Sequence, residues 1–176
     1  MSQSNIEISP SVTVHALLEA YPELEEVLIA IAPPFKKLKN PFLRRSVAKV
    51  ATIKHIAAVG GVPLEDLVAQ IKEAVGQPVS SKSYEDQDYF GEQPDWFSPD
   101  KVTLSLDEDK VENRDKMTLV IILKEAKNVK KGEIIELVTS FLPAPGIDIL
   151  KTKGFLVWTR KESDDLIRSF FYKTTD

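Results

Sequence analysis

Apolar side chains recur at Val14, Leu17, Leu18, Tyr21, Leu24, Val27, Leu28 and Ile31, the three-and-four spacing of a helix face. Pro22 divides that run. A proline in mid-helix costs ~3 kcal/mol and in a first turn little, so the pattern predicts two helices. Glu23, Glu25 and Glu26 fall in the opening turns of the second, where the helix dipole favours negative charge. Pro33 and Pro34 stop it, and Phe35 to Asn40 read as a basic loop. Asn40 and Pro41 read as the cap and first residue of a third helix through Phe42, Leu43, Val47 and Val50. Thr52 caps a fourth helix that ends at Gly60 and Gly61. Pro63, Glu65 and Asp66 open a fifth, which carries Leu64, Leu67, Val68 and Ile71 and is closed by Gly76 and Pro78.

The period changes after Pro99. Val102, Leu104 and Leu106 alternate with polar residues, which predicts a half-buried strand from Lys101, and Leu119, Ile122, Leu123 and Ala126 then form a helix face ending near Lys130-Lys131-Gly132. Ile134, Ile135, Leu137 and Val138 suit a strand buried on both faces. A turn with Pro143 leads into a helix with Pro145 in its first turn, Ile147, Ile149 and Leu150 on its apolar face, and Gly154 as a left-handed stop. Phe155 to Arg160 and Leu166 to Lys173 close the chain as two strands around the polar turn Lys161 to Asp165. The order is βαβαββ, and a right-handed crossover would put both helices on one face of a mixed sheet.

The fold class read from these patterns is α+β: a five-helix bundle over residues 1–76 and a βαβαββ two-layer sandwich over 101–176. Residues 77–100 read as an acidic linker that contains aromatics, with Trp96 and Phe97 expected to anchor it on a domain surface.

Composition narrows the chemistry. An apolar share of 43% with 28% charged residues is that of a folded chain. No apolar run approaches the roughly 20 residues needed to span a bilayer, and MSQSNIEISP lacks the basic start and greasy centre of a signal peptide, so the cytoplasm is the expected location. The absence of Cys removes disulfides, thiolate nucleophiles, iron–sulfur ligation and cysteine-based zinc sites together. His15 and His55 are the only histidines, each set among apolar helix residues and read as structural. No metal, cofactor or catalytic residue is assigned, and an enzyme is the less expected outcome.

Charge is unevenly spread. From Val27 to Leu64 there is no acidic residue, while Lys36, Lys37, Lys39, Arg44, Arg45, Lys49 and Lys54 fall inside. Lys36, Lys37, Lys39, Arg44 and Arg45 are the candidate anion- or partner-binding group. From Tyr84 to Asp115 the balance reverses, so the basic group could face the chain's own linker or a separate acidic partner. The turn before the last helix, with Ser140, Ala144 and Gly146, is a second candidate, a generic anion seat of backbone N–H groups. Asp107, Asp109, Glu112 and Asp115 read as a solvated acidic edge.

Two resemblances add to this. Val14-His-Ala-Leu-Leu-Glu-Ala-Tyr-Pro-Glu-Leu, Ala32-Pro-Pro-Phe, Asn40-Pro-Phe-Leu-Arg-Arg and Val50-Ala-Thr-Ile to Gly60-Gly-Val-Pro-Leu-Glu-Asp-Leu resemble a small helical bacterial domain of unknown function. Some of its relatives are redox-disulfide domains associated with the hybrid-cluster protein. Those relatives carry Cys-x-x-Cys after the second helix; here Phe35-Lys36-Lys37-Leu38-Lys39 stands there, so thiol redox chemistry does not carry over. Leu106-Asp107, Lys131-Gly-Glu-Ile-Ile, Leu142-Pro-Ala-Pro, Lys153-Gly-Phe and Phe170-Phe-Tyr-Lys resemble uncharacterised relatives of the TusA/SirA-like sulfur-carrier fold. Carriers place Cys-Pro-x-Pro at the start of their first helix; the matching positions here are Asp115-Lys-Met-Thr118, which cannot carry a persulfide.

Thr52 to Val68 also resembles a helix-turn-helix, but Glu65 and Asp66 open the would-be recognition helix, where phosphates repel them. The reading is a bacterial, non-enzymatic binding or regulatory module that docks to an acidic partner without entering the membrane. The alternatives are a nucleic-acid-binding protein and an enzyme or metabolite-binding protein of unidentified chemistry.

Overall fold

A computed structural model describes residues 5–110 and 118–176, leaving aside the side chains of 42, 43 and 118. The fold is α+β, with helices in the N-terminal part and a four-stranded mixed sheet in the C-terminal part. Two compact units divide at Gln87/Asp88, Met1–Gln87 and Asp88–Asp176. The expected linker is shared between them: residues up to Gln87 pack with the helices and those from Asp88 with the sheet.

In the first unit α1 is Val14–Ala20, α2 Glu25–Ile31, α3 Pro41–Ser46, α4 Ile53–Gly60 and α5 Leu64–Ala74. Two 3-10 helices, Pro22–Leu24 and Pro33–Lys39, raise the helical segments above the five expected. The second replaces the predicted basic loop. With three residues per turn it puts Phe35 and Leu38 on one inward face, where both are buried. Thr13 caps α1 by accepting the Ala16 amide at 3.1 Å. The starts of α1 and α4 are stitched together by Val14 N to Ala51 O at 2.8 Å and Ile53 N to Val12 O at 3.0 Å. At α4 the buried His55 accepts the Thr52 amide through Nδ1 at 3.1 Å, a structural use of that ring.

Gly60 and Gly61 end α4 for different reasons. Gly61 has φ of 65°, and Val62 N reaches back to Ala57 O at 3.0 Å to close a Schellman turn. Gly60 has no room for a side chain, since a Cβ there would lie 2.6 Å from Ile31 O of α2.

In the second unit β1 is Val102–Asp107, α6 Thr118–Glu125, β2 Ile134–Thr139, α7 Ala144–Thr152, β3 Phe155–Ser163 and β4 Leu166–Lys173. The sheet order is β1-β2-β4-β3, with β1 parallel to β2 and β4 antiparallel to both neighbours. β2 is interior and buried on both faces, as its β-branched run requires. β3 runs three residues past the expected Arg160, narrowing the polar turn to Asp164 and Asp165.

α7 lies against β3 and α6. Together the helices cover the face carrying Ile135, Leu137, Phe155 and Phe171, all buried. Gly146 lets α7 approach α6 closely: a Cβ there would meet Leu119 Cδ1 at 3.2 Å. Among the described residues no helix is long and apolar enough to cross a membrane.

Candidate functional site

The basic group is carried by the 3-10 helix and α3, and two of its five members are tied down by carboxylates of α2. Lys39 Nζ donates to Glu26 Oε1 at 2.8 Å, and Arg44 Nη1 to Glu25 Oε1 at 3.3 Å. The Glu26 hydrogen bond holds the Lys39 ammonium above the ordinary lysine range. Glu25 and Glu26 lie just outside the acid-free stretch, so they are the nearest acids in sequence that could serve it. Lys37 is half-buried and also bonded. Lys36 and Arg45 are exposed and form no ion pair among the described residues. The pairs therefore fix the segment, and Lys36 and Arg45 project from it.

The second candidate is served from within. The Ser140 amide and hydroxyl both donate to Glu108 Oε2, each at 3.2 Å. Ala144 and Gly146 are buried against the rest of the unit. Of the acidic edge, Asp107 accepts the Asp109 amide at 3.0 Å and lies 3.6 Å from Lys110 Nζ, while Glu112 and Asp115 lie outside the described residues. Asp115 to Met117, where a carrier would place its motif, lie outside them too. Among the described residues no group of three His, Asp or Glu is placed to hold a metal ion.

The sheet face opposite the helices has an apolar half and a charged half. On the apolar half, Phe97 stands edge-on to Trp158 at 4.9 Å and to Phe170 at 4.6 Å, and Trp96 stacks on Tyr172 at 5.3 Å. Trp158 Nε1 donates to Gly91 O at 2.9 Å, and Phe90 forms a bridge with Thr159, so the segment also shields the outer edge of β3. On its other side the buried Tyr89 hydroxyl donates to Asp148 of α7 at 2.8 Å.

On the charged half, Arg168 joins three strands. It donates to Glu136 at 2.6 Å on β2 and to Glu162 at 3.0 Å on β3, where Arg160 also binds Glu162. Ser105 of β1 donates to Glu136 at 2.8 Å. These bonds hold the Glu162 carboxyl below the usual carboxylate range, through Arg160 first and Arg168 second. Within the set each carboxylate is paired with at least one guanidinium.

Sequence reasoning placed the aromatics on a domain surface but did not find the Arg168 network, whose members are spread over four strands. The only signal for it was that β-strand positions facing away from the core carried charge. No curated protein and no solved structure matches the chain. Residues 8–68, spanning α1 to α4 and the first five residues of α5, match the model of a domain of unknown function, DUF1858.

Proposed function

We propose that the protein is a non-enzymatic binding or regulatory module whose helical unit docks on an acidic partner. The observation that carries this reading is the contrast within the basic group. Glu25 and Glu26 hold Arg44 and Lys39, and the exposed Lys36 and Arg45 are left without an ion pair among the described residues. A fixed backbone with free cations loses little conformational entropy on binding and attracts an opposite surface from a distance. The Ser140 turn adds little to this reading, because Glu108 already takes its donors.

The exposed Glu65 and Asp66 at the start of α5 weigh against the nucleic-acid alternative, since they would face the phosphate backbone. The βαβαββ order and the single antiparallel central strand support a TusA/SirA-like reading of the second unit. With no Cys in the chain that reading supplies a surface and no sulfur chemistry. The resemblances to bacterial families support a bacterial source, and the cytoplasm is the compartment we propose for the module.

The test is an NMR titration of the isotope-labelled full chain with poly-glutamate and, separately, with duplex DNA. Shifts gathered on Lys36 to Lys49 with the acidic polypeptide and reversed by salt support docking. Shifts centred on α4 and α5 with DNA replace it with the nucleic-acid reading.

A further inference from the structure

The turn between α4 and α5 borders a cleft of about 250 Å³ that plays no part in the basic docking face. Its apolar wall is aliphatic, the short side chains of Ala57, Ala58 and Val62 together with Pro63 and Leu64, and its polar lining residues are Lys54, Asp86 and Gln87. Asp86 serves the fold with one oxygen: Oδ1 accepts the Leu64 amide at 2.8 Å, capping α5 from 22 residues away where Pro63 offers no side-chain cap. Its second oxygen makes no bond among the described residues. Lys54 likewise has no ion pair there, and the two do not pair with each other.

A cleft lined by one cation and one anion that form no ion pair with each other is neutral as a whole and offers a ligand a charge of each sign. It repels neither a neutral ligand nor a zwitterion, and it rewards a molecule whose own charges are separated by a short apolar body. The volume lies below the ~300–1,000 Å³ of drug-sized pockets, so the occupant is small. The short wall leaves room for an aliphatic branch and supplies no aromatic face for a ring to stack on.

We propose that this cleft binds a small zwitterion of the α-amino-acid class, its carboxylate at Lys54, its ammonium at the second oxygen of Asp86 and its aliphatic part on Ala57, Ala58 and Val62. The inference is independent of the docking face, and either stands if the other fails.

The test is calorimetric titration of the full chain with L-leucine, L-valine, N-acetyl-leucine and leucinamide. Saturable binding of leucine or valine is expected, with each blocked derivative weaker by about tenfold or more, because each lacks one charge-assisted contact. Asp86→Asn keeps an oxygen for the Leu64 amide and so preserves the fold, which its unchanged melting temperature would confirm. It should abolish the preference for leucine over N-acetyl-leucine, and Lys54→Gln the preference for leucine over leucinamide. Absence of saturable binding by leucine and valine overturns the proposal, as does equal binding of the blocked derivatives.

Discussion

The Gln77 side chain stands in for a strand beside Ile8. Its Oε1 accepts the Ile8 amide at 3.1 Å while its Nε2 donates to Ile6 O at 2.6 Å, so one amide pairs with the extended N-terminal segment as a backbone would. Ile8 is buried, and this pairing holds it in the core of the first unit. Replacing Gln77 with Ala leaves both backbone groups without that partner and should destabilise the unit by about 1–3 kcal/mol. Gln77→Glu should cost more, because a carboxylate oxygen then faces Ile6 O. Hydrogen exchange at the Ile8 amide reads the effect directly, and unchanged protection in both variants would refute the pairing.

Phe97 packs edge-on against both Trp158 and Phe170, which stack on each other at 5.1 Å. Phe97→Ala removes two aromatic contacts and opens the sheet face, for a loss of about 3 kcal/mol in the second unit. Both tryptophans, Trp96 and Trp158, belong to that unit, so tryptophan fluorescence during urea unfolding reports on it selectively. The midpoint should fall for the fluorescence signal. A fall below about 0.5 kcal/mol would mean the segment merely rests on the sheet.

Alkaline pH tests the other side of the same segment. Burial, and then the hydrogen bond to Asp148, push the Tyr89 hydroxyl above the ordinary tyrosine range. The raised value means that the folded state prefers the protonated form, so its contribution is complete below the unfolded value of about 10 and is lost as pH rises beyond it. Tyr89→Phe should lower stability near neutrality and remove part of the loss above about pH 10. Urea midpoints across that range, parallel for parent and variant, would contradict the assignment.

Glycine substitutions separate space from conformation. Gly60→Ala forces a Cβ to within 2.6 Å of Ile31 O, which is backbone and cannot swing away. A loss of about 1–3 kcal/mol in thermal unfolding is expected. Gly91 has open space around it and no left-handed φ, so Gly91→Ala should be neutral or stabilise by up to about 1 kcal/mol. Equal effects at the two sites would show that the α2–α4 approach is looser than described.

What could be read from the sequence follows from how local each cause is. The β2 strand, the turn and α7 were visible because β-branched residues, prolines and Gly154 act within a few positions. The 3-10 helix Pro33–Lys39 was hidden because two prolines and three lysines look like a loop, and its only apolar marks are Phe35 and Leu38, one short turn apart. Gln77 with Ile8 and Asp86 with Leu64 could not be inferred, since each joins a side chain to backbone far along the chain. The basic group was named from composition, but the division between Lys39 and Arg44, which are paired, and Lys36 and Arg45, which are not, depends on where α2 lies.

An affinity comparison separates the paired cations from the unpaired ones. Fluorescently labelled poly-glutamate would be titrated with the parent chain, with Lys36→Glu/Arg45→Glu, and with Lys127→Glu/Lys131→Glu, two exposed lysines of the second unit, as a control with the same change in net charge. Binding should weaken with salt, fall about tenfold or more on reversing Lys36 and Arg45, and change little for the control. Binding that ignores salt, or that survives reversal of Lys36 and Arg45, would contradict docking through them.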